Sequence, residues 1–350
     1  MSESVDNPEQ PDPGALIPDA APDPNLHLQV DTSDDNDSTL GFDTLSTASA
    51  SLTSSIQNYK YENGRRYHAF REGTYPLPND EPEQDRQDLL HHIFRLILGG
   101  KLFRAPLGHA PPRVLDVGTG TGIWAMDFAD EFPQSVVIGT DLSPIQPKWV
   151  PPNCKFVIDD AESDWLYRPE EAFDYIHWRG LGGSVADWPR YYRQVWNHLV
   201  PGGWCEAQEY EAWLRSDDDS IQQTGKSILQ WIALVDEAST KFGKKINIAK
   251  LQKQYMIDAG FVDVRDEMYK VPVGTWPKDP KLKQIGMFER EHMIAAVEPF
   301  TLALLTRVLG WSVESTQVLM ANVRNEFLDK RNHLYSYFHF VYGRKPEAPT

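Results

Sequence analysis

From residue 113 onward, short apolar runs alternate with stretches in which apolar residues recur every three or four positions. The short runs are typical of strands, and the three-to-four-residue period is typical of amphipathic helices. The pattern predicts seven strands, at 113–117, 136–139, 155–158, 173–178, 204–209, 261–270 and 334–342, with helices between them at 188–199, 221–242 and 248–259. Strands separated by helices predict an α/β fold built on a doubly wound, mostly parallel seven-stranded sheet.

The predicted sheet belongs to a domain at 111–350. Two helical segments are predicted in addition to it, an N-terminal extension and an insertion before the last strand. An amphipathic helix is predicted at 83–98, within an N-terminal extension that spans 58–110 and that we expect to cover the ligand site. The 61 residues 271–331 separate the last two strands and carry helical patterns at 281–297, 301–309 and 314–330. Ligands of open α/β sheets bind at the carboxyl ends of the strands, so we expect this insertion to be a helical lid over that edge.

The N-terminal segment differs from the rest of the chain in composition. Residues 1–56 contain eleven of the 51 acidic residues and no Lys or Arg, and they are rich in Asp, Pro and Ser. Such a segment buries too little apolar surface to order itself, so residues 1–57 are predicted to be a disordered acidic tail. The remaining 40 acidic residues face 34 basic ones, and no basic stripe is present, so we expect no direct contact with nucleic acid.

Composition also restricts the metal, redox and membrane chemistry that is expected. Cys154 and Cys205 lie in or beside apolar runs and are predicted to be buried free thiols, and no metal site is predicted because further ligands at a set spacing are missing. No apolar stretch is long enough to span a membrane, so no membrane contact is expected. The first residues lack a signal-peptide pattern, and the chain is predicted to be intracellular, in the cytoplasm or the nucleus.

The strongest chemical signal is a glycine-rich turn after the first sheet strand. Gly118, Gly120 and Gly122 alternate there, Asp116 precedes them, and Asp141 ends the next apolar run. Glycines let a backbone approach a ligand closely, and an acid at the second strand tip suits the two hydroxyls of a ribose. A dinucleotide fingerprint requires a third glycine where this chain has Ile123, and Asp116 would repel a pyrophosphate and attract an ammonium. The pattern therefore favours S-adenosylmethionine as the cofactor, with Thr119 and Leu142 as further contacts.

Other strand ends supply further candidates. Asp160 and Ala161 follow the third strand and are predicted to contact adenine, with Asp159 as the alternative to Asp160. Trp178 ends the fourth strand, where an aromatic ring would attract a sulfonium through its π face, although a core position fits it equally well. Weak catalytic candidates are His177, a common type of general base, and Glu209 at the end of the fifth strand; for both, a structural role is the alternative.

The segment 59–80 has no regular period and mixes aromatic residues with Arg65, Arg66 and Arg71. It is too polar for a core strand and too aromatic for a linker. We expect it to fold over the cofactor, where one of its arginines would pair with the cofactor carboxylate. The alternative is a structural brace on the helix at 83–98.

Several longer motifs carry a family resemblance. The chain reads ENGRRYH at 62–68, YPLPND at 75–80, EQDR at 83–86, GIWA at 122–125, DLSPIQP at 141–147 and GSVADWP at 183–189. Together with the glycine turn, these motifs resemble the fungal LaeA-like methyltransferases, which belong to the class I methyltransferase superfamily. The resemblance covers residue 58 to the end of the chain. It implies a Rossmann-like class I fold with an antiparallel last strand, and S-adenosylmethionine as cofactor.

The resemblance implies two alternative functions. The first is methyl transfer from S-adenosylmethionine to an unidentified, small-molecule acceptor in fungal secondary metabolism. The second is that of a regulatory subunit in a nuclear complex with a velvet-type protein partner, with little or no classical methyl transfer. Thr119 stands where the best-known regulator of the family has cysteine, and the acidic tail does not resemble the leader of that regulator.

Overall fold

The computed structural model describes residues 59–347, so the predicted acidic tail lies outside the described residues. In this described part of the chain, two short strands form a hairpin ahead of the α/β elements, and seven longer strands form the main sheet. In chain order the strands are β1 (Lys60–Glu62), β2 (Arg65–Tyr67), β3 (Arg113–Val117), β4 (Val136–Asp141), β5 (Cys154–Ile158), β6 (Phe173–Arg179), β7 (Leu199–Tyr210), β8 (Val262–Val273) and β9 (Leu334–Arg344).

The strand order of the main sheet is β5-β4-β3-β6-β7-β9-β8. The ladders among β3 to β7 are parallel, whereas β9 runs antiparallel to both of its neighbours. The predicted doubly wound, mostly parallel seven-stranded sheet is therefore confirmed, including the antiparallel last strand that the family resemblance implied. The strand order reverses at β3, where β4 lies on one side and β6 on the other, and a ligand crevice is expected at that point.

Within residues 59–347, eight α-helices surround the sheet or form the additions to it. They are α1 (Glu81–Ile97), α2 (Ile123–Glu131), α3 (Trp188–His198), α4 (Ser220–Thr224), α5 (Lys226–Phe242), α6 (Gln252–Asp258), α7 (Pro280–Ala303) and α8 (Val313–Leu328). Among residues 59–347, no helix combines the length and the apolarity that a membrane crossing needs. Cys154 and Cys205 are buried free thiols, as predicted.

Side-chain alternation along the strands produces two cores, one on each face of the sheet. Val114 and Val137 are paired in register and pack with the apolar side of α2. Leu115 and Ile138, the next pair, pack with α3 on the opposite face. Both faces of the central strands are covered, which explains why these strands are almost continuously apolar.

The helical additions have their own cores. Residues of α5, α7 and α8 bury a cluster that includes Trp231, Phe300 and Phe327. The apolar side of α1 packs on β8, β9 and α7. The predicted helices at 281–297 and 301–309 join into α7, which continues through Pro299 and is followed by a π-helical turn at Leu304–Val308. The burial of the residues after Pro299 explains the continuation, since it offsets the backbone hydrogen bond that a proline removes.

Candidate active site

The turn after β3 requires its three glycines for conformational and steric reasons. Gly118, Gly120 and Gly122 have φ angles of 68°, 58° and 83°, in the left-handed region that side chains rarely adopt. A Cβ on Gly118 would lie 2.4 Å from Leu181 Cδ2, and a Cβ on Gly120 would lie 2.4 Å from Gln87 Oε1. Neighbouring side chains therefore pack closely against the turn, and its glycines have no side chains that would cover the backbone.

A cavity of about 170 Å³ lies beside this turn, at the carboxyl ends of β3, β4, β5 and β6. Its position is that of the crevice expected where the strand order reverses. Eight of the ten residues predicted to bind the cofactor line it: Asp116, Gly118, Thr119, Gly120, Asp141, Leu142, Asp160 and Ala161. The topology thus brings together residues that are up to 45 positions apart in the chain.

Asp116 is held in place by two neighbours at the base of the cavity. In the sheet register it pairs with His177, so that both side chains point to the same face. Its carboxylate lies 2.7 Å from His177 Nδ1 and accepts a 2.6 Å hydrogen bond from Thr119 Oγ1. The imidazole stacks on Trp124 with 3.6 Å between ring centroids, and burial lowers its pKa. His177 therefore orients the Asp116 carboxylate and is itself 0% exposed.

Asp141 ends β4 and connects the two predicted motifs directly. Its carboxylate accepts a 2.9 Å hydrogen bond from the Gly120 N–H and another from the Ser143 N–H. Burial raises the pKa of Asp141 to about 6, although both backbone hydrogen bonds oppose that rise. A carboxylate at this position would gain from additional hydrogen-bond donors, which a bound diol would supply.

The turn after β5 brings two acids to the same cavity. Asp160 accepts hydrogen bonds from the Glu162 N–H and the Ser163 hydroxyl, and Arg71 approaches it to 3.5 Å. Asp159 accepts from the Asp160 N–H, and burial raises the pKa of Asp159. Both acids line the cavity, so the sequence-based choice between them stays open.

Arg179, at the end of β6, is partly buried, and its guanidinium has no carboxylate partner within ion-pair distance among residues 59–347. Its guanidinium donates to Gln208 Oε1 and contacts His91 Nδ1, and it lies 4.2 Å from the Phe94 ring centroid. Burial lowers its pKa to about 10, against the opposing influence of Asp116. Arg179 lines the cavity and therefore supplies a positive charge that is poorly compensated by the protein.

Three predicted site residues do not line the cavity. Trp178 follows His177 in β6 and so points to the opposite face, where it is 0% exposed and packs on Tyr191 and Tyr192. Gly122 precedes α2 and packs against a neighbouring side chain. Glu209 is 2% exposed and accepts a 2.9 Å hydrogen bond from the Leu181 N–H, under the loop that borders the cavity.

Burial raises the pKa of Glu209 to about 8. Its hydrogen bond to Leu181 shows what this side chain does in the structure: it holds the loop at 180–183, of which Gly180, Leu181 and Gly182 line the cavity. His177 lines the cavity but is 0% exposed, whereas Glu209 does not line it. Their hydrogen-bond partners Asp116 and Leu181 both line the cavity.

The N-terminal segment combines the two roles that the sequence left open. Tyr75, Leu77 and Asn79 line the cavity. Arg65, by contrast, forms a two-pronged pair with the carboxylate of Asp80, with distances of 2.7 and 2.8 Å, and also contacts Glu298 at 3.1 Å. The segment therefore contributes its second half to the cavity wall, while Arg65 braces the beginning of α1, where Asp80 is the N-cap.

The sequence interpretation missed cavity residues from α1, β7 and α7. Arg86 and Leu90 lie on α1, Tyr210 ends β7, and Phe300 lies on α7. Arg86 carried a detectable signal, since it lies four residues before Leu90 and therefore on the same face of α1 as the apolar stripe. Phe300 carried none, because it is an ordinary apolar residue almost 180 positions from the glycine turn.

The sequence of this chain is similar to those of methyltransferases and of secondary metabolism regulators. A family model described as a methyltransferase domain matches residues 89–265. The chain is 44% identical over 292 residues to the methyltransferase pytC of Aspergillus terreus, covering 83% of this chain and 89% of that protein. It is 38% identical over 298 residues to the secondary metabolism regulator LAE1 of Cochliobolus heterostrophus, covering 83% and 96%. Among solved structures, phosphoethanolamine N-methyltransferase 2 of Haemonchus contortus is 19% identical, with a TM-score of 0.42 and coverage of 75% and 53%.

Proposed function

The chain belongs to the fungal LaeA-like family of S-adenosylmethionine-dependent methyltransferases, and on that premise we propose that it binds S-adenosylmethionine in the cavity beside the glycine turn. The bare backbone of Gly118 and Gly120 would lie against the cofactor. Asp141 would accept hydrogen bonds from the ribose hydroxyls, and the turn at Asp160 and Ala161, with Leu142, would contact the adenosine.

The observation that carries the proposal is the pair of opposite charges in one cavity. Asp116 presents a carboxylate and Arg179 a guanidinium, and both line the cavity. An amino acid in its zwitterionic form has the complementary ammonium and carboxylate. Asp116 already accepts from Thr119 and His177, but a carboxylate has about four lone-pair sites, so it can also accept from an ammonium.

The charges disfavour a dinucleotide as the ligand. A pyrophosphate in this cavity would meet the buried carboxylate of Asp116 close to the glycine turn, whereas S-adenosylmethionine contains no phosphate. The residues present thus fit the adenosine, the diol and the zwitterion of S-adenosylmethionine separately, each with a different part of the cavity.

S-adenosylmethionine, when bound, supplies a methyl group activated by a sulfonium. The protein's contribution is to orient the two reactants, because an in-line displacement gains most of its acceleration from positioning. Asp116 and Arg179 would fix the amino-acid end, and Asp141 the ribose. His177 and Glu209 would act indirectly: the first orients Asp116, and the second holds the loop around Leu181.

Calorimetry on the full chain tests the proposal with S-adenosylhomocysteine and with NAD. We expect S-adenosylhomocysteine to bind much more tightly than NAD. Arg179→Met should weaken it by about ten- to a hundredfold, since a hydrogen bond to a charged group contributes about 1.5–3 kcal/mol. Arg168→Met, at an exposed arginine outside the cavity, is the matched control and should leave the affinity unchanged. Tighter binding of NAD, or full affinity in Arg179→Met, would overturn the assignment.

We further propose that the chain is an enzyme whose acceptor is a small molecule of secondary metabolism; the similarity to the methyltransferase pytC supports the methyl transfer itself. The similarity to proteins named secondary metabolism regulators supports a second candidate function, that of a regulator. Such a regulator would act through a velvet-type protein in the nucleus, whereas a tailoring enzyme would act in the cytoplasm. Incubation with methyl-labelled S-adenosylmethionine and a fungal metabolite extract separates them. Label in a small molecule supports the enzyme. Label in no small molecule, together with binding of a purified velvet-type protein, supports the regulator.

A further inference from the structure

A second cavity, of about 40 Å³, lies next to the first one. Tyr210 and Phe300 line both cavities and therefore stand at their junction. The wall of the second cavity is mainly aliphatic and aromatic, with residues from β7, the segment after it, α5 and α7. Its apolar members are Ala212, Leu214, Trp231, Ile232, Val235, Ile246, Met293 and Ala296.

Two of the residues that line this apolar space, Glu289 and His292, each have a buried polar atom without a hydrogen-bond partner among the described residues. These atoms are Glu289 Oε2 and His292 Nδ1, which lie 3.4 Å apart on α7 but do not form a hydrogen bond with each other. Glu289 is 2% exposed and His292 is 1% exposed. Buried polar groups are nearly always paired, so an unpaired donor and acceptor at one point indicate a binding function.

The proton on His292 is assigned by its other neighbour. Arg86 Nη1 lies 2.7 Å from His292 Nε2, and a guanidinium only donates, so Nε2 is the acceptor. The hydrogen of the neutral imidazole is then on Nδ1, the His292 atom without a hydrogen-bond partner. Arg86 is itself fixed by a two-pronged pair with the buried carboxylate of Glu83. Glu211 and Ser336 also line the cavity, but the Glu211 carboxylate is already paired with Arg215 and His339. Among the described lining residues, the polar groups left for a ligand are therefore the N–H of His292 and the carboxylate of Glu289.

We infer that the second cavity holds the hydroxyl-bearing end of the methyl acceptor, which is an uncharged and largely apolar small molecule. A hydroxyl donates one hydrogen bond and accepts others, so it satisfies Glu289 and His292 together. The volume of about 40 Å³ admits the hydroxyl and the atoms next to it. The body of the ligand, for example a phenolic ring, would lie between Tyr210 and Phe300, toward the cofactor. The inference rests on the proposed function of the first cavity.

The charges around the second cavity exclude other ligand classes. An anion such as a carboxylate or phosphate would meet the carboxylates of Glu289 and Glu211 in an apolar environment, where unpaired like charges are costly. An ammonium would pair with Glu289 but would face the N–H of His292 and, behind it, the guanidinium of Arg86. A neutral hydroxyl is the group that suits both atoms.

Phenol and toluene form a matched probe pair, because they have nearly the same shape and differ in the hydroxyl. Their binding is measured by ligand-detected NMR on the full chain saturated with S-adenosylhomocysteine. We expect phenol to bind about tenfold more tightly than toluene, since only phenol pairs with both polar atoms. In Glu289→Leu the preference should disappear or reverse, because the carboxylate is replaced by an apolar group of similar size.

A second variant keeps the test independent of the buried charge. Ala296→Leu fills the cavity and should abolish phenol binding, whereas Ala321→Leu, an exposed alanine on α8, is the matched control and should not. Equal binding of phenol and toluene, or a phenol preference that survives both Glu289→Leu and Ala296→Leu, would overturn the inference. Binding of S-adenosylhomocysteine, measured on the same samples, tests the first cavity separately. If the unmodified chain does not bind S-adenosylhomocysteine, the proposed function is contradicted and not this inference.

Discussion

The pKa of Asp141 makes cofactor affinity depend on pH in a way that can be calculated. Burial raises this pKa to about 6 in the cofactor-free protein, against an ordinary value near 3.9 for Asp. The two hydroxyls of a bound ribose would donate to the ionised carboxylate and so lower its pKa on binding. The cofactor then binds the ionised form. Affinity is at its full value above pH 6 and is lost as the pH falls through 6, because Asp141 must first release a proton.

The expected magnitude follows from the fraction of ionised Asp141. With a pKa of about 6, affinity for S-adenosylhomocysteine should be about fourfold weaker at pH 5.5 than at pH 8. Binding at pH 6 should release about half a proton. Calorimetry at pH 6 in two buffers with different ionisation enthalpies measures that release directly. Measurements much below pH 5.5 are unsuitable because the pI is about 5.0 and the protein loses its net charge there.

Asp141→Asn isolates this residue from other groups that titrate in the same range. The variant should bind S-adenosylhomocysteine at least tenfold more weakly at pH 8, since it loses a charged hydrogen-bond acceptor. Its affinity should no longer change with the ionisation of position 141, and the proton release at pH 6 should vanish. The reasoning is refuted if the unmodified chain releases no proton at pH 6, or if the release persists in Asp141→Asn.

Two further predictions concern stability. Arg65→Ala leaves the Asp80 carboxylate, whose side chain is 11% exposed, without its arginine partner, so denaturation should show a free energy of unfolding lower by about 3 kcal/mol. Calorimetry should show an unchanged affinity for S-adenosylhomocysteine. A lower affinity at unchanged stability would instead place Arg65 in the site. Burial lowers the pKa of His339, but the hydrogen bonds that its imidazole donates to Asp266 and Glu211 together outweigh burial and raise this pKa to about 9. The protonated imidazole therefore contributes about 3 kcal/mol to the free energy of unfolding, fully below pH 6.5, and this contribution is lost as the pH rises through 9. Urea denaturation should show that the free energy of unfolding falls less between pH 6 and pH 9 in His339→Gln than in the unmodified chain. An identical fall in both would contradict the assignment.

The sequence by itself determined the elements whose signals are local. The alternation of short apolar runs with helical periods was enough for the doubly wound sheet, because each strand and helix shows its own period along the chain. The glycine turn and Asp141 were also readable, since a backbone with positive φ restricts the residue type at that position. These features identified the crevice and eight of its residues before any tertiary contact was considered.

The strand register was not readable, and it decided which neighbouring residues reach the cavity. His177 lies beside Asp116, whereas Trp178, one position later, points into the opposite core. A shift of one residue in the register would have exchanged them, and nothing in the sequence of β6 alone excludes that shift. The aromatic character of Trp178 suited both the site and the core, so its chemistry did not distinguish them either.

Only the tertiary structure decided how charges are paired across long sequence separations. The sequence contained several arginines suited to a cofactor carboxylate, and it favoured the segment 59–80 as their source. The fold pairs Arg65 with Asp80 and Glu298, and leaves Arg179 in the cavity without a carboxylate partner within ion-pair distance among residues 59–347. The second cavity has the same origin, since it forms where α7 meets β7 and α5. Pairing and cavities depend on what lies nearby in space, whereas the period of a helix or strand depends only on the chain itself.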